Sequence, residues 1–403
     1  MPLLIFAAVL IFIIVLLKLK VPIGFVLYGA ATAFLFLSGN NFVFVLNTFW
    51  DSFTSYDTNH LLAIVISIVI LGKIMTRAGA MKTMISSVEQ LFPNSGLAGA
   101  VLPAVVGLLP MPGGALLSAP MVDNVSILKQ QKPNTKAVIN YWFRHVWEYT
   151  WPMYPAINMA AALSGVSIGT IIAYQLPLSI FAIVIGLIYF RKALFNKNDK
   201  ITRRVEGWAS LLTFSSSFYP LPIVIILKFI IGLDFLLSLI IVVILTFILN
   251  FNKLKPFPAF FKSLISINTI ILVEAVMAMQ FTISVSGLSA QLVSFLSTGG
   301  LLLPVLTGTV AFIIGLLAGM TTAFVGIAFP LIAPLVQSTG EYHLGFLAYC
   351  CGFAGVMLSP THLCLLLSKD YFNAGLGDVY RLLIIPTMVV LAGGIIIFTI
   401  QYM

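Results

Sequence analysis

Long apolar segments separated by short polar stretches run along almost the whole chain. A helix needs about 20 apolar residues, at about 1.5 Å each, to cross about 30 Å of hydrocarbon. Ten segments come close to that length and predict transmembrane helices, at roughly 2–19, 21–38, 59–76, 137–163, 168–190, 211–231, 234–250, 267–296, 343–368 and 380–401. The pattern therefore predicts an all-α polytopic membrane protein.

Two further apolar regions are interrupted by small or helix-breaking residues. The first spans about 95–128 and contains PMPGG at 110–114, and the second spans about 301–338 and contains AGMTT at 318–322. The two halves of each region are near or below the spanning length, and proline and glycine weaken a helix. Each region is therefore expected to form a re-entrant helical hairpin with its tip inside the membrane.

Breaks and segment lengths recur at an offset of about 208 residues. The triplet GLL at 107–109 recurs at 315–317, and Pro152 and Pro360 each interrupt the long apolar segment that follows a hairpin. This pattern predicts an inverted-topology repeat, which is typical of secondary transporters. The predicted units are 1–192 with a cytoplasmic-side hairpin, a basic cytoplasmic linker at 193–217, and 218–403 with an outer-side hairpin.

Composition and charge agree with a membrane protein. Only 8% of the residues are charged and 60% are hydrophobic, whereas soluble domains carry about 25% charged residues. The net charge of +9 comes from basic residues between apolar segments and not on one face. This distribution indicates membrane topology and argues against nucleic-acid binding.

The basic residues fall in alternate connections, which the positive-inside rule assigns to the cytoplasm. The other connections hold Asp51, Asp57, Asp234 and Glu341. A multi-pass protein of the cell inner (plasma) membrane is expected, with both termini outside. Lys228 is the exception, near the outer end of its helix, where it could pair with Asp234 or snorkel. The first apolar segment lacks a basic n-region and is expected to be a retained helix.

The hairpin tips are the first candidate binding residues, because irregular backbone at membrane depth has to be buried in protein or line a cavity. Free helix N-termini offer N–H groups to an anion, and free C-termini offer carbonyls to a cation. The candidates at the tips are Pro112, Gly113, Gly114, Ser118, Thr321 and Thr322. Alternatively, the glycines only allow close helix packing, and the threonines only bond to their own helix.

The break after the first hairpin reads FRHVWEYTWPMYPAIN at 143–158. Arg144 and Glu148 are four residues apart and could pair on one helical face. Glu148 is the candidate for cation or proton coupling, since ionisable residues inside a membrane are costly and usually functional. The alternative is a structural ion pair. The candidate substrate contacts of this break are Thr150, Trp151, Tyr154 and Asn158.

The second break, GVMLSPTHLCLL at 355–366, places Ser359, Thr361 and His362 around Pro360. His362 could carry a proton or donate to a carboxylate, or it could be a neutral core histidine. Gly113 and Thr321 join Glu148 and His362 as ion-coupling candidates. His362 and Cys364 are a weak metal-ligand pattern, and Cys350, Cys351 and Cys364 are more simply small buried hydrophobes. Glu274 lies within its helix and opposite neither break.

The stretches GLLPMPGGALLSAPMVD at 107–123 and GVMLSPTHLCLLLS at 355–368 resemble an uncharacterised prokaryotic membrane family of unknown function. The architecture is similar to that of the ion-transporter superfamily. That superfamily includes gluconate permeases, divalent anion/sodium symporters and the large membrane subunit of tripartite periplasmic transporters. The resemblance implies a homodimer with a fixed scaffold domain and a transport domain that moves like an elevator. Neither tip carries the Ser-Asn-Thr motif of the sodium/dicarboxylate carriers.

A secondary active transporter of a small organic anion, coupled to Na⁺ or H⁺, is the function that these patterns favour. A cation/proton antiporter is the alternative, and an ion channel is a weaker one. An enzyme is not expected: no nucleotide-binding loop is present, and Ser359 with His362 lacks an evident oxyanion donor. No cofactor is expected beyond Na⁺ as a coupling ion. The expected partners are the substrate, membrane lipid and a second copy of the chain.

Overall fold

Every regular element of the described residues is helical. The computed structural model describes residues 2–92, 96–109, 111, 113–195, 207–255, 260, 267–286, 302–339 and 342–402. Several residues used in the sequence analysis lie outside these ranges, namely Pro112, Glu341, the linker stretch 196–206 and the stretch 287–296 of a predicted helix.

The first eleven helices extend to the start of the predicted linker. They are α1 (Pro2–Lys18), α2 (Ile23–Leu37), α3 (Phe42–Thr54), α4 (Tyr56–Arg77), α5 (Ala80–Leu91), α6 (Ala98–Gly107), α7 (Ala115–Asn124), α8 (Pro133–His145), α9 (Pro155–Ser164), α10 (Ile168–Tyr189) and α11 (Arg191–Leu194). A short 3₁₀ turn, Leu128–Gln130, connects α7 to α8.

The remaining helices begin at Gly207, inside the predicted linker 193–217, whose last part is therefore helical. They are α12 (Gly207–Phe218), α13 (Pro220–Ile225, continued by a π turn at Ile226–Ile230), α14 (Phe235–Leu249), α15 (Ile267–Val285), α16 (Leu302–Ala318), α17 (Thr321–Thr339), α18 (His343–Met357), α19 (Leu363–Tyr371) and α20 (Leu376–Tyr402). A 3₁₀ turn at Phe251–Leu254 follows α14.

Four helices of the described ranges are long and apolar enough to cross a membrane, namely α4, α10, α15 and α20. The pair Gly207–Phe218 and Pro220–Ile230 is bent by 59° and makes a fifth if it counts as one span. The other apolar helices offer described apolar stretches of 10–17 residues each. Length and composition therefore indicate a membrane protein with four or five clear candidate spans.

Polar residues and prolines fix where the helices begin. Ser55, Ser167 and Asp234 each accept a hydrogen bond from a backbone N–H in the first turn of the helix that follows, which satisfies a donor that the helix cannot. Pro133 and Pro155 start α8 and α9, a position at which the missing N–H of proline costs nothing.

All ten predicted apolar segments contain helices. The segment 211–231 is bent between α12 and α13, before Pro220, and two other segments are divided as their prolines suggest. The segment 137–163 consists of α8 and α9 with a break at 146–154, and 343–368 consists of α18 and α19 with a break at 358–362. The sequence analysis missed α3 and α5, because their polar residues lower the hydropathy. Among the described residues Lys228 does not pair with Asp234, whose carboxylate instead lies 3.7 Å from His60 Nε2.

Candidate functional site

The hairpins pack against both broken helices. The first hairpin, α6 and α7, contacts α8, and α7 also contacts α19. The second hairpin, α16 and α17, contacts α18, and α17 also contacts α9. Each hairpin therefore touches the broken helix that follows it and one half of the other broken helix. The candidate residues of the two breaks and the two tips come from these elements.

The end of α6 at the first tip is held by aromatic donors from the break at 146–154. Trp147 Nε1 donates to the carbonyl of Ala104 at 3.0 Å, and Trp151 Nε1 donates to that of Leu108 at 2.8 Å. The hydroxyl of Tyr154 donates to the carbonyl of Gly107. These donors satisfy carbonyls that the helix end leaves without intrahelical partners. Trp151 and Tyr154 thus have a structural contact at the place where substrate contacts were predicted.

Arg144 reaches the first tip and is 2% exposed. Nη2 donates to the carbonyl of Met111 at 2.8 Å, and Nη1 lies 3.3 Å from His145 Nε2. An ideal Cβ on Gly114 would lie 2.5 Å from Nη2, so only glycine leaves room for the guanidinium there. Arg144 Nε is buried and has no hydrogen-bond partner.

Arg144 and Glu148 do not form the predicted ion pair: within the described ranges no carboxylate lies within 4.0 Å of the guanidinium. The helix α8 ends at His145, and the backbone N–H of Glu148 bonds to the carbonyl of His145 in a turn. The rule that residues four apart share a face holds only in a continuous helix. The chain break therefore separates the two charges.

Glu148 instead meets the second tip. Thr321 Oγ1 donates to Glu148 Oε2 at 2.5 Å, and both side chains are buried. The hydroxyl of Tyr349 donates to the backbone carbonyl of Glu148 at 2.7 Å. Two residues predicted independently, 173 positions apart, are thus in direct contact.

His362 meets a histidine of the first break. The Nε2 atoms of His145 and His362 lie 3.2 Å apart, and His145 Nε2 lies 3.7 Å from Glu148 Oε1. Each Nδ1 faces a backbone carbonyl, that of Tyr141 at 2.6 Å for His145 and that of Val356 at 3.2 Å for His362. Arg144, His145, Glu148, Thr321 and His362 therefore form one buried polar cluster, which we call the central cluster.

The second tip also contacts the second break. Gly319 has a φ of +64°, a left-handed conformation that favours glycine. An ideal Cβ there would lie 2.4 Å from Thr361 Oγ1 and 2.9 Å from Ser359 Oγ. Ser359 and Thr361 bond to each other at 2.9 Å. Neither ring nitrogen of His362 bonds to Ser359, so the nucleophile–base pair weighed from the sequence is not formed.

Three other candidates bond to groups outside the central cluster. Ser118 donates to the carbonyl of Ala115, Thr150 bonds to Ser179 at 2.9 Å, and Asn158 donates to the carbonyls of Pro152 and Tyr154. Gly113 has a φ of +73° at the tip. Thr322 is half-buried beside Thr321 in the first turn of α17.

Side-chain donors occupy carbonyls at both breaks. Besides Tyr349 on Glu148, Ser179 donates to Val146, Tyr141 to Met357 and Tyr380 to Leu358, at 2.9–3.0 Å. The expectation that freed carbonyls serve a cation fits these atoms less well, because each already accepts a hydrogen bond. The groups best suited to bind a solute are therefore the side chains of the central cluster.

Comparison with known families places the sequence in one of them. The family described as "Protein of unknown function (DUF401)" matches residues 2–401. The chain belongs to the DUF401 family. No curated protein matches it. The prediction of an uncharacterised family is confirmed, and the apolar helices are compatible with a membrane protein.

A large cavity in this DUF401 chain lies away from the central cluster. It has a volume of about 520 Å³ and is lined by apolar residues of α16, α18 and α20 such as Phe312, Leu391 and Phe398. Apart from the thiol of Cys351, none of its lining residues is titratable. Such a cavity suits apolar chains and offers no charged side chain to a charged solute.

The sequence did not indicate three residues in or next to the central cluster, namely His145, Tyr349 and Trp147. His145 is next to Arg144 in the sequence, but its partner His362 is 217 residues away. No local sequence pattern predicts a contact between such distant residues. Glu274 is buried and its Oε1 has no hydrogen-bond partner. It makes no hydrogen bond or ion pair to the central cluster within the described part of the chain.

Proposed function

We propose that this protein is a secondary active transporter of a small organic anion, with the central cluster as its binding site. The observation that carries the proposal is the state of Arg144. Its guanidinium is buried, lacks a carboxylate within 4.0 Å among the described residues, and has an Nε without a hydrogen-bond partner. An arginine side chain is always charged in proteins.

A buried charge without a directly paired counter-ion costs up to several kcal/mol. A carboxylate solute would supply the counter-ion, and the planar guanidinium presents paired donors that match a carboxylate. At the first tip, Gly114 leaves the room that the guanidinium occupies. The proposed substrate is therefore a small molecule with at least one carboxylate.

Glu148 and Thr321 form the opposite side of the proposed site. Glu148 carries a negative charge when ionised and would repel a second carboxylate nearby. Protonation of Glu148, or a cation beside it, removes that repulsion. Glu148 is therefore the proposed coupling residue, with H⁺ or Na⁺ as the coupling ion.

Element boundaries support the proposed inverted repeat. The helices α9 and α19 begin at Pro155 and Leu363, and α10 and α20 begin at Ile168 and Leu376. Both pairs of starts are 208 residues apart, the offset that the breaks suggest. The reciprocal packing of α7 on α19 and of α17 on α9 agrees with two related units.

Contacts between connections support the proposed topology. Arg77 donates to the carbonyl of Lys255 at 3.1 Å, so two connections assigned to the cytoplasm lie together. His60 and Asp234, both assigned to the outside, are 3.7 Å apart. We propose from the family resemblance an elevator-type carrier of the ion-transporter superfamily that works as a homodimer.

The test is a thermal-shift measurement on purified protein with succinate, citrate and gluconate, each with and without Na⁺. At least one carboxylate is expected to raise the Tm of the wild type. Arg144→Gln should abolish that shift, because it removes the charge that binds the anion. Arg381→Gln is the matched control, since Arg381 is exposed and pairs with Asp378. A shift that Arg144→Gln retains would contradict the proposed site.

A cation/proton antiporter is the second candidate, and the contact between His145 and Glu148 favours it. A carboxylate beside two histidines can exchange a proton for a cation without an organic solute. An antiporter would acidify or alkalise proteoliposomes when Na⁺ is added alone. Uptake of a carboxylate would instead support the organic-anion transporter.

A further inference from the structure

The imidazole rings of His145 and His362 face each other through their Nε2 atoms. A carbonyl oxygen only accepts hydrogen bonds, so each Nδ1 carries the proton and donates it to its backbone carbonyl. In the neutral ring Nε2 is then unprotonated and carries a lone pair. The two Nε2 atoms are 3.2 Å apart, and two lone pairs at that distance repel unless a cation lies between them.

Hydrogen bonds from Nδ1 to a backbone carbonyl are typical of histidines that ligate a metal. A ligating imidazole almost always donates its other N–H to a carbonyl or carboxylate, which fixes the ring and its tautomer. Two nitrogens bound to one tetrahedral Zn²⁺ at about 2.0–2.1 Å are about 3.3–3.4 Å apart. The observed separation of 3.2 Å is close to that value.

Cys364 supplies a third donor. Its Sγ and one ring nitrogen of each histidine all lie within 4.8 Å of one another, and all three side chains are buried. A tetrahedral Zn²⁺ would hold the sulfur about 3.6 Å from each nitrogen, so the thiol has to move in by about 1.2 Å or less. Glu148 Oε1 lies 3.7 Å from His145 Nε2 but outside the group of three donors, so its side chain has to turn toward the ion to become a fourth donor.

We propose that His145, His362 and Cys364, with Glu148 as the fourth ligand, bind one Zn²⁺-type transition-metal ion. The thiol of Cys364 releases its proton on binding, since the thiolate is the ligand. Thiolate and carboxylate together balance the two charges of the ion. The loaded site therefore adds no net charge beside Arg144, whereas an imidazolium shared between the rings would add one.

Arg144 is the group that competes with the metal, because its Nη1 lies 3.3 Å from the same Nε2 of His145. Metal binding has to displace that contact, while the bond from Nη2 to the carbonyl of Met111 stays available. The histidines and Cys364 come from α8 and from the second break with its following helix, so a bound ion would cross-link them. The inference does not depend on the proposed transport function.

The test is a titration of Co²⁺ into the full-length protein after treatment with a chelator. We expect one Co²⁺ per chain, with a thiolate-to-cobalt charge-transfer band and the visible bands of tetrahedral cobalt, and displacement by Zn²⁺. Cys364→Ser should lose the charge-transfer band and bind more than about 100-fold more weakly, since the loss of a supporting contact costs about 10–100-fold. Cys351→Ser, equally buried, should behave as the wild type.

Absence of the charge-transfer band in the wild-type protein would overturn the proposal, and this readout needs no variant to fold. Equal affinity of Cys364→Ser and wild type would overturn it as well, since the ion would then be bound elsewhere. In either case a shared proton would remain to bridge the histidines. The carboxylate thermal-shift measurement is unaffected by these outcomes, so failure of the metal site and failure of the anion site are distinguishable.

Discussion

At the scale of single residues, the candidate site consists of buried polar side chains that come from distant parts of the chain. Thr321, at the start of α17, donates to Glu148 in the first break. His362, in the second break, faces His145 at the end of α8. Each contact joins residues more than 170 positions apart, so the cluster exists only in the folded chain.

The hydrogen bond of Thr321 gives the first residue-scale prediction. Thr321→Val keeps the shape of the side chain and removes the donor, which leaves a buried carboxylate oxygen without its partner. Such a loss costs about 1–3 kcal/mol. We expect a lower Tm and impaired solute uptake. Thr307→Val is the matched control, because Thr307 is equally buried, at 8% exposure, in the neighbouring helix. Equal effects of both variants would show that the hydrogen bond to Glu148 makes no specific contribution to the Tm or to uptake.

The sequence indicated the candidates of the cluster one by one, but not their pairing. Glu148, Thr321 and His362 stand out as polar residues in apolar segments, because a membrane penalises them. The predicted partner of Glu148 was Arg144, since helical spacing was the only geometry that the sequence offers. The end of α8 at His145 removed that geometry, and the true partner came from a hairpin 173 residues away.

At the scale of elements, breaks in the helices position the site. Proline at 152 and 360 predicted both breaks, because proline lacks the N–H that a helix requires. The donors that fill the freed carbonyls, such as Trp147 and Tyr349, were not predicted. Aromatic residues are common throughout apolar segments, and nothing in their spacing tells which of them faces a broken helix end.

The second tip gives the element-scale prediction. Gly319→Ala places a methyl group 2.4 Å from Thr361 Oγ1 at a backbone with positive φ, so it strains the backbone and pushes the tip away from the second break. Gly39→Ala is the matched control, since Gly39 has a φ of +87° and nothing within 4 Å of an ideal Cβ. Only backbone strain, of about 1–2 kcal/mol, is expected there.

Thermal unfolding and solute uptake of the two glycine variants check this expectation. Gly319→Ala should lower the Tm more than Gly39→Ala does and should impair uptake. If the two variants unfold alike and transport alike, the contact between the second tip and the second break does not hold the site together.

At the scale of the whole molecule, two hairpins and two broken helices converge on one polar cluster inside an apolar helical protein. The hydropathy pattern predicted the helical class and the places of the apolar helices, since burial in lipid demands long apolar segments. It did not predict α3, in which exposed apolar residues such as Trp50 alternate with polar ones such as Asp51. Membership of the DUF401 family agrees with the membrane class.

Uptake of a carboxylate by the purified protein in proteoliposomes tests whether the protein is a secondary transporter of organic anions. The probe is the carboxylate among succinate, citrate and gluconate that most raises the Tm, offered under an inward Na⁺ or H⁺ gradient. We expect saturable uptake that depends on one of these gradients, is lost in Arg144→Gln and persists in Arg381→Gln. Proton movement on addition of Na⁺ alone, without uptake of any of the three carboxylates, would contradict this expectation.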